Sequence, residues 1–506
     1  MGVLSRVPLH PFLLAAYAVL FVYAANISEA LPGQAIGPLL VAVAAAAVAV
    51  AICALPFRNL RRGAVVATAA VLAFGYFGHV SSQLGQAVPE ELQLALWVGL
   101  IVVAFVYAAL AKGSLPNVTA TLNAFGIVLV LLALATILPA ESSRAVRATE
   151  GEPVSDDIVA EATRWPDRDI YFLVFDRYGS DWSLEERYGI DNDIYPQLEA
   201  AGFQVVPGAR TNYRATDFSL STMLNMELLD DLTTTAGRAS SDRTPARQRI
   251  GRHEVGRFLR ANGYRYYHIG AWYEPTHDSP IADEVLRYGK TPEFEAVVRE
   301  ATVLPTLERL MVPTIVDDPF RIRHRNEALF AFRQLERLAD MPDRKFVFAH
   351  ILMPHPPYVL DAEGDPVVKA TVLETPEADL VAGQLQYTNR RMMEVVSELL
   401  DRPPDEQPII VITGDEGPFL CGDVDCIDGT PETYGIRFGT LRAYYLPGLD
   451  YEVPADDTGV NIFRMLLREY FGADLPDLRN RSYDWPDNDH LYDFRDITDE
   501  LPLPGG

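Results

Sequence analysis

The octapeptide DIYFLVFD, residues 169–176, decides how the second part of this chain folds. Six apolar residues stand between two acids, with no polar residue at alternate places. That is the pattern of a short strand buried on both faces. A second run of the same kind, PIIVIT at 408–413, stops just before Asp415. Working outward from these two, residues 190–202 read as a helix closed by Gly202, and 203–206 as a strand. Residues 254–262, 324–338 and 380–400 read as helices, with strands at 264–269 and 345–351. Strands that alternate with helices predict an α/β domain whose central, mostly parallel sheet is flanked by helices. Ligand sites in such folds gather at the carboxyl ends of the strands, where Asp176 and Asp415 both fall.

The sequence before this domain has a different character. Residues 1–140 are almost uncharged and rich in Ala, Val and Leu, whereas the chain from Glu141 onward is dense in Asp, Glu and Arg. A span needs about 20 mainly apolar residues. Five are read, at 10–28, 36–56, 64–82, 93–111 and 119–139, giving a transmembrane domain over 1–140. Residues 141–167 form a polar linker, and 168–506 the α/β domain. Arg6, then Arg58, Arg61 and Arg62, then Lys112 fall on one side of these spans; Glu29, Glu90 and Glu91 fall on the other. Basic loops mark the cytoplasmic side. The expectation is a multi-pass cell-membrane protein with a cytoplasmic N-terminus and an extracytoplasmic C-terminal domain. His79, near the outer end of the third span, reads as an interfacial residue. The net charge of −26 lies almost wholly in the second part and excludes a nucleic-acid partner, because acidic surfaces repel phosphates. Cys421 and Cys426, in a Gly/Asp-rich loop, read as a local disulfide if the domain lies outside the cytosol.

Two acids at the ends of buried strands are costly unless something pairs them, and a hard divalent cation would satisfy both. Asp415-Glu416 also reads as an ordinary acidic turn after a strand. The hydroxyl-rich stretch TNYRATDFSLSTMLNME, 211–227, reads as a helix start with Thr216 as its N-cap. It is equally compatible with a nucleophile at a helix N-terminus, where the dipole favours an anionic phosphoryl group. In FVFAHILMPHPPY, 346–358, His350 reads as a satisfied core residue, while His355 sits in a Pro-rich exit from which an imidazole reaches a site.

With these residues in view, the second part resembles the alkaline phosphatase superfamily. The nearest likeness is its sulfatase-like branch, with lipoteichoic acid synthases and membrane phosphoglycerol or phosphoethanolamine transferases. The resemblance covers about residues 168–485 and rests on the order and spacing of four short segments. DIYFLVFDRYG puts Asp176 in the place of the first metal ligand. TNYRATDFSLSTMLNM puts Thr216 in the nucleophile's place. HILMPHPPY matches the H-x-P segment at His355, and IIVITGDEGPF matches the strand–Asp–His–Gly segment. RFGTLRAYYLPG and NIFRMLLREYFG resemble the close of the same proteins, and lipoteichoic acid synthases share the arrangement of five spans and an outer domain. There are departures. The C/S-x-P-x-R signature of sulfatases is absent, Glu416 stands where the family has His, and Arg177 stands where many sulfatases have a second Asp.

The resemblance implies a membrane-anchored, metal-dependent phosphotransferase or phosphodiesterase. It would hold one divalent ion (Mn or Mg favoured, Ca possible) on Asp176, Asp415 and Glu416. Thr216 would be the nucleophile, and His355 would bind phosphate or act as the acid. Arg210, Arg214, Trp272 and Tyr273 read equally as pocket lining or as surface residues, and a membrane lipid or cell-envelope glycan is the expected substrate. The rivals are a sulfatase-like hydrolase of phosphate or sulfate esters and a catalytically silent membrane protein that keeps the fold for binding or assembly.

Overall fold

The computed structural model describes residues 5–27, 30, 32–84, 87–113, 115–150, 162–289, 293–311, 319–421 and 426–502. They form two compact units, Met1–Val154 with Thr291–Val316, and Ser155–Lys290 with Asp317–Gly506.

The second unit is built on a seven-stranded sheet. Its strands are β1 (Ile170–Phe175), β2 (Gln204–Val205), β3 (Arg265–Gly270), β4 (Glu284–Arg287), β5 (Lys345–Ile351), β6 (Ile409–Gly414) and β7 (Arg442–Tyr445), in the order β2-β7-β6-β1-β5-β3-β4. The five strands from β6 to β4 are parallel, while β7 and β2 add an antiparallel edge, so the sheet is mixed. The octapeptide forms β1 at the centre, and all six of its strand residues are buried. Alternate side chains serve two cores. Tyr171, Leu173 and Phe175 pack with Phe332, Leu335 and Leu385 from the helices Pro319–Ala339 and Glu377–Leu400. Ile170, Phe172 and Val174 pack with Leu220, Met223 and Phe463 from the helices Thr216–Asn225 and Ile462–Phe471. Each such side chain contributes about 1.5–3 kcal/mol through burial, so the central strands are the most strongly held part of the unit.

The first unit is helical: α1 (His10–Ala25), α2 (Pro32–Ala54), α3 (Leu60–Gly75), α4 (Phe77–Leu84), α5 (Glu90–Leu110) and α6 (Pro116–Glu150). Three helices are long and apolar enough to cross a membrane: α2, α5 and α6 over Pro116–Ser142. A fourth span arises if α3 and α4, bent by 51°, count as one. The five spans expected from the sequence are therefore three to four here, because α1 has only 16 helical residues. Leu40, Val41, Leu96, Val103, Leu131 and Leu132 are exposed on α2, α5 and α6. Polar bonds tie the helices at one end. Asn123 Oδ1 accepts from the amides of Leu9 and His10 at 2.8 Å each, and Arg62 Nη2 donates to the Ala111 carbonyl at 2.8 Å.

Two short helices, Glu293–Glu300 and Leu304–Met311, lie in the sequence between β4 and β5 yet belong to the first unit. Phe294 and Ala301 are buried with Val22, Tyr23 and Ala35 from α1 and α2, and with Ile137 from α6. The Gly78 amide donates to the Ala301 carbonyl at 3.0 Å, and the Val303 amide to the Phe74 carbonyl at 2.9 Å. The sequence places this segment inside the 168–506 domain, and the structure assigns it to the first unit. Its apolar spacing (Phe294, Val297, Val298, Ala301) is the signal of a helix that buries one face.

Candidate functional site

Strand register assembles the site. In β1, Phe175 lies opposite Gly414 of β6, so the next residues, Asp176 and Asp415, leave adjacent strands side by side. On the other flank Val174 lies opposite His350 of β5. Side chains alternate along a strand, so Val174, Asp176, His350 and Asp415 all point to one face of the sheet. The helix Thr216–Asn225 packs on that same face.

Asp415 is oriented by its neighbours. Its Oδ1 accepts from the backbone amides of Arg177 (2.9 Å) and Glu416 (2.8 Å), and the Ser219 hydroxyl holds its carbonyl at 2.7 Å. That leaves Oδ2 without a partner. Asp176 Oδ1 and His350 Nε2 are likewise buried with no hydrogen bond. These three residues offer ligand atoms that all lie within 4.8 Å of one another. His350, expected to be a satisfied core residue, is thus satisfied at one nitrogen only. Its Nδ1 meets the Thr276 hydroxyl at 2.9 Å, which itself donates to the Tyr273 carbonyl at 3.4 Å. Nδ1 therefore carries the proton, and Nε2 presents a lone pair 3.7 Å from Asp176 Oδ2. Burial lowers His350 to about 3, so the ring is neutral at physiological pH. Burial, reinforced for Asp415 by the neighbouring Asp176, pushes both carboxyls up to about 7. Orphaned buried atoms of this kind are costly and demand an explanation. Two carboxylate oxygens and a neutral imidazole are a fitting donor set for one divalent cation.

Glu416 was expected in that set. Instead its Oε1 pairs with Arg177 Nη2 and its Oε2 with Arg437 Nη2, each at 2.8 Å. A carboxylate between two buried guanidiniums is drawn away from a metal, which is why His350 and not Glu416 completes the cluster. Burial still raises Glu416 to about 7, against the pull of Arg177 and Arg437. Thr216 is the first residue of its helix rather than its N-cap, a place taken by Ala215, which makes no side-chain cap bond. Its hydroxyl is therefore free of capping and faces Glu416 Oε1 at 3.5 Å. The next residue, Asp217, is held below the ordinary carboxylate range by Arg243 and Arg247, which overcome its burial, and this ion pair anchors the helix start.

The remaining predicted residues divide. His355 is close: its ring lies 6.1 Å from Trp272 and 6.3 Å from Phe419, and Arg177 sits over the Phe419 ring. Burial and the nearby Arg177 depress it well below the usual histidine range, so it is neutral and not a ready acid. Trp272 donates from Nε1 to His324 Nδ1 at 2.7 Å, and the Tyr273 ring packs edge-on against His350. The two arginines expected in the pocket turn away. Arg210 donates to the Pro502 carbonyl; Arg214 pairs with Asp484 and lies over the Trp485 ring at 4.3 Å. Arg177 and Arg437, which had been read only as a missing Asp and as part of a family ending, are the arginines at the site. Cys421 and Cys426 are joined, with Cα atoms 5.8 Å apart.

No family model and no curated protein matches the chain. Solved structures do. The periplasmic domain of EptC from Escherichia coli is similar over 69% of this chain and 96% of its own, at 12% identity and a TM-score of 0.43. The soluble domain of lipooligosaccharide phosphoethanolamine transferase A from Neisseria meningitidis is similar over 67% and 97%, at 13% identity and a TM-score of 0.39. A Vibrio parahaemolyticus protein of the alkaline phosphatase superfamily is similar over 68% and 81%, at 13% identity and a TM-score of 0.42.

Proposed function

We propose that the protein is a membrane-anchored, metal-dependent phosphotransferase or phosphodiesterase that uses Thr216 as its nucleophile. The observation that carries this reading is the meeting of an uncapped helix-start hydroxyl with three unpartnered buried ligand atoms at the carboxyl edge of the sheet. A divalent ion held by Asp176, His350 and Asp415 would supply the positive charge that neutralises phosphoryl oxygens and favours the Thr216 alkoxide. The Thr216 proton passes to Glu416 Oε1, the carboxylate oxygen that the hydroxyl faces. A base near 7 suits that transfer at neutral pH. The Thr216 oxygen forms the new O–P bond as the ester oxygen leaves with a proton from solvent. An acceptor hydroxyl or water then breaks the Thr216–phosphorus bond and gives its proton to Thr216, while Glu416 releases the proton it took to solvent.

The substrate belongs to the envelope: a lipid headgroup phosphodiester as donor, with a lipid, glycan or water as acceptor. The apolar helices of the first unit support this reading. So does the grouping of basic residues at one end of the bundle, which supports a cytoplasmic N-terminus. Arg61 Nη2 donates to the Arg6 carbonyl, and Arg62 to that of Ala111, so the basic residues gather at one end.

The test is Thr216→Ala in the full-length, detergent-solubilised protein, assayed on a chromogenic phosphodiester with metal content measured in parallel. Turnover should vanish while bound metal and thermal stability persist, since the change leaves the ligand set intact and removes no cap. Metal-dependent turnover that survives the change would overturn Thr216; wild-type protein with neither metal nor turnover would favour the silent reading.

A further inference from the structure

The first unit holds a cavity of about 510 Å³ between α4, the start of α5 and the helix pair Glu293–Glu300 and Leu304–Met311. That size lies within the range of small-molecule sites. The pair is seated on one side only: the Gly78 amide bonds the Ala301 carbonyl and the Val303 amide the Phe74 carbonyl, and the cavity separates the pair from Val88, Pro89 and Glu90. Glu90 opens α5, whereas Ala111, which accepts from Arg62, follows its last residue. The cavity therefore lies at the end of the bundle away from Arg62.

The lining selects a ligand by its hydrogen bonds. Ser81, Ser82, Glu90, Glu300, Thr302 and Thr306 all bring side-chain oxygens to the cavity, and no described lining residue is Lys or Arg. Arg299 pairs with Glu308 and stands 3.7 Å from Glu300, but it does not line the cavity. Two of the hydroxyls have already placed their protons. Ser82 donates to the His79 carbonyl at 2.9 Å and Thr302 to the Arg299 carbonyl at 2.6 Å, so each offers lone pairs. Such an acceptor-rich wall repels phosphate and calls for a ligand rich in donors. A polyhydroxylated headgroup spreads its donors over a ring or chain, as the lining spreads its acceptors. An ammonium concentrates three donors at one point and is recognised by several aromatic faces, whereas Phe77 is the one aromatic residue in the described lining.

The faces that line the cavity continue as apolar surface. Leu84 is three residues on from Ser81 in α4, and Leu310 four residues on from Thr306 in its helix, so each shares the face of a lining residue. Both are exposed. A polar chamber with apolar side chains beside it suits an amphipathic ligand.

We propose that this cavity holds the headgroup of an uncharged, polyhydroxylated membrane lipid, with its acyl chains along Leu84 and Leu310, and that this lipid ties the helix pair 293–311 to α4 and α5. The lipid is bound and not consumed. The site lies wholly within the first unit, and the proposal does not rest on the phosphotransfer reading.

The experiment places the full-length protein in phosphatidylcholine nanodiscs with equal small fractions of monoglucosyl diacylglycerol, phosphatidylethanolamine and phosphatidylglycerol. Lipids retained after release into a sugar-free detergent are counted by native mass spectrometry. The glucosyl lipid should be retained about tenfold over the other two. Hydrogen exchange at the Val303 amide should be slower in discs that contain it than in discs that lack it. Ser81→Trp, which fills the cavity, should remove the preference. Glu90→Leu, at an exposed helix start, guards against an overpacked fold and should weaken retention about tenfold. Glu90→Gln still accepts a hydrogen bond and should keep the preference. Retention equal for all three lipids, or indifferent to both Ser81→Trp and Glu90→Leu, would overturn the site. A preference for phosphatidylethanolamine that Glu90→Gln abolishes would overturn the uncharged headgroup and assign the cavity to an ammonium.

Discussion

At the scale of single residues, the site is a set of buried polar atoms whose partners are mostly assigned by the backbone. Asp415 shows it: two amides take Oδ1, and the other oxygen is left facing the site. A second buried acid, Glu327 on the helix Pro319–Ala339, has no side-chain partner for either oxygen. Burial pushes it up to about 8, against the pull of Arg323. Its sign is that of a carboxyl favoured in the neutral form. The folded protein keeps a proton that the unfolded chain releases above its ordinary pKa of about 4.5. The resulting stability is fully present below about 4.5, falls as pH rises towards about 8, and is gone beyond. Glu327→Gln, which is neutral at every pH, should flatten that slope. The melting temperature of the variant should change less between pH 5 and pH 9 than that of the wild type, by the equivalent of a few kcal/mol at most. Equal pH slopes would show that Glu327 is already ionised in the fold.

At the scale of elements, β1, β5 and β6 do the positioning, and the helix Thr216–Asn225 brings the Thr216 hydroxyl to their edge. The element that the sequence reading missed is the helix pair at 293–311, held to the first unit through Gly78. A side chain there would place its Cβ 2.1 Å from the Glu300 carbonyl oxygen and 2.8 Å from the Ala301 carbonyl carbon. Backbone cannot yield as a flexible side chain does, so Gly78→Val should push the pair off at a cost of about 1–3 kcal/mol. Hydrogen exchange of the amides in 293–311, Val303 above all, should quicken about tenfold or more. Gly99→Ala is the control, because nothing lies within 4 Å of its added Cβ. Unchanged protection in Gly78→Val would mean that the pair is held by other contacts.

At the scale of the whole molecule, the question is topology. The chain leaves the second unit at Lys290 and rejoins it at Asp317, and the helices in between pack against α1, α2 and α6. We propose an odd number of crossings, with the loops that carry Arg6, Arg61, Arg62 and Lys112 on the cytoplasmic side, from their basic bias. Reporter fusions after Lys112 and after Arg147 should accordingly report opposite sides; a common side for both would remove the odd number of crossings. Much of this was legible beforehand. The apolar spans, the central strands and the acids at their ends follow from hydropathy and strand period, which are local properties of the chain. The sequence also offers Asp176, Thr216 and Asp415 as candidates, since each sits where a strand or helix begins or ends. What only the tertiary structure decided is which charges neutralise each other. His350 reads as core by its apolar neighbours, and register alone turns its free nitrogen towards Asp176. Glu416 reads as a ligand by its place beside Asp415, and only packing brings Arg177 and Arg437 to it. The physical reason is the same in both cases. Hydropathy is summed along the sequence, whereas the pairing of buried charges depends on distances of a few ångströms between residues far apart in the chain.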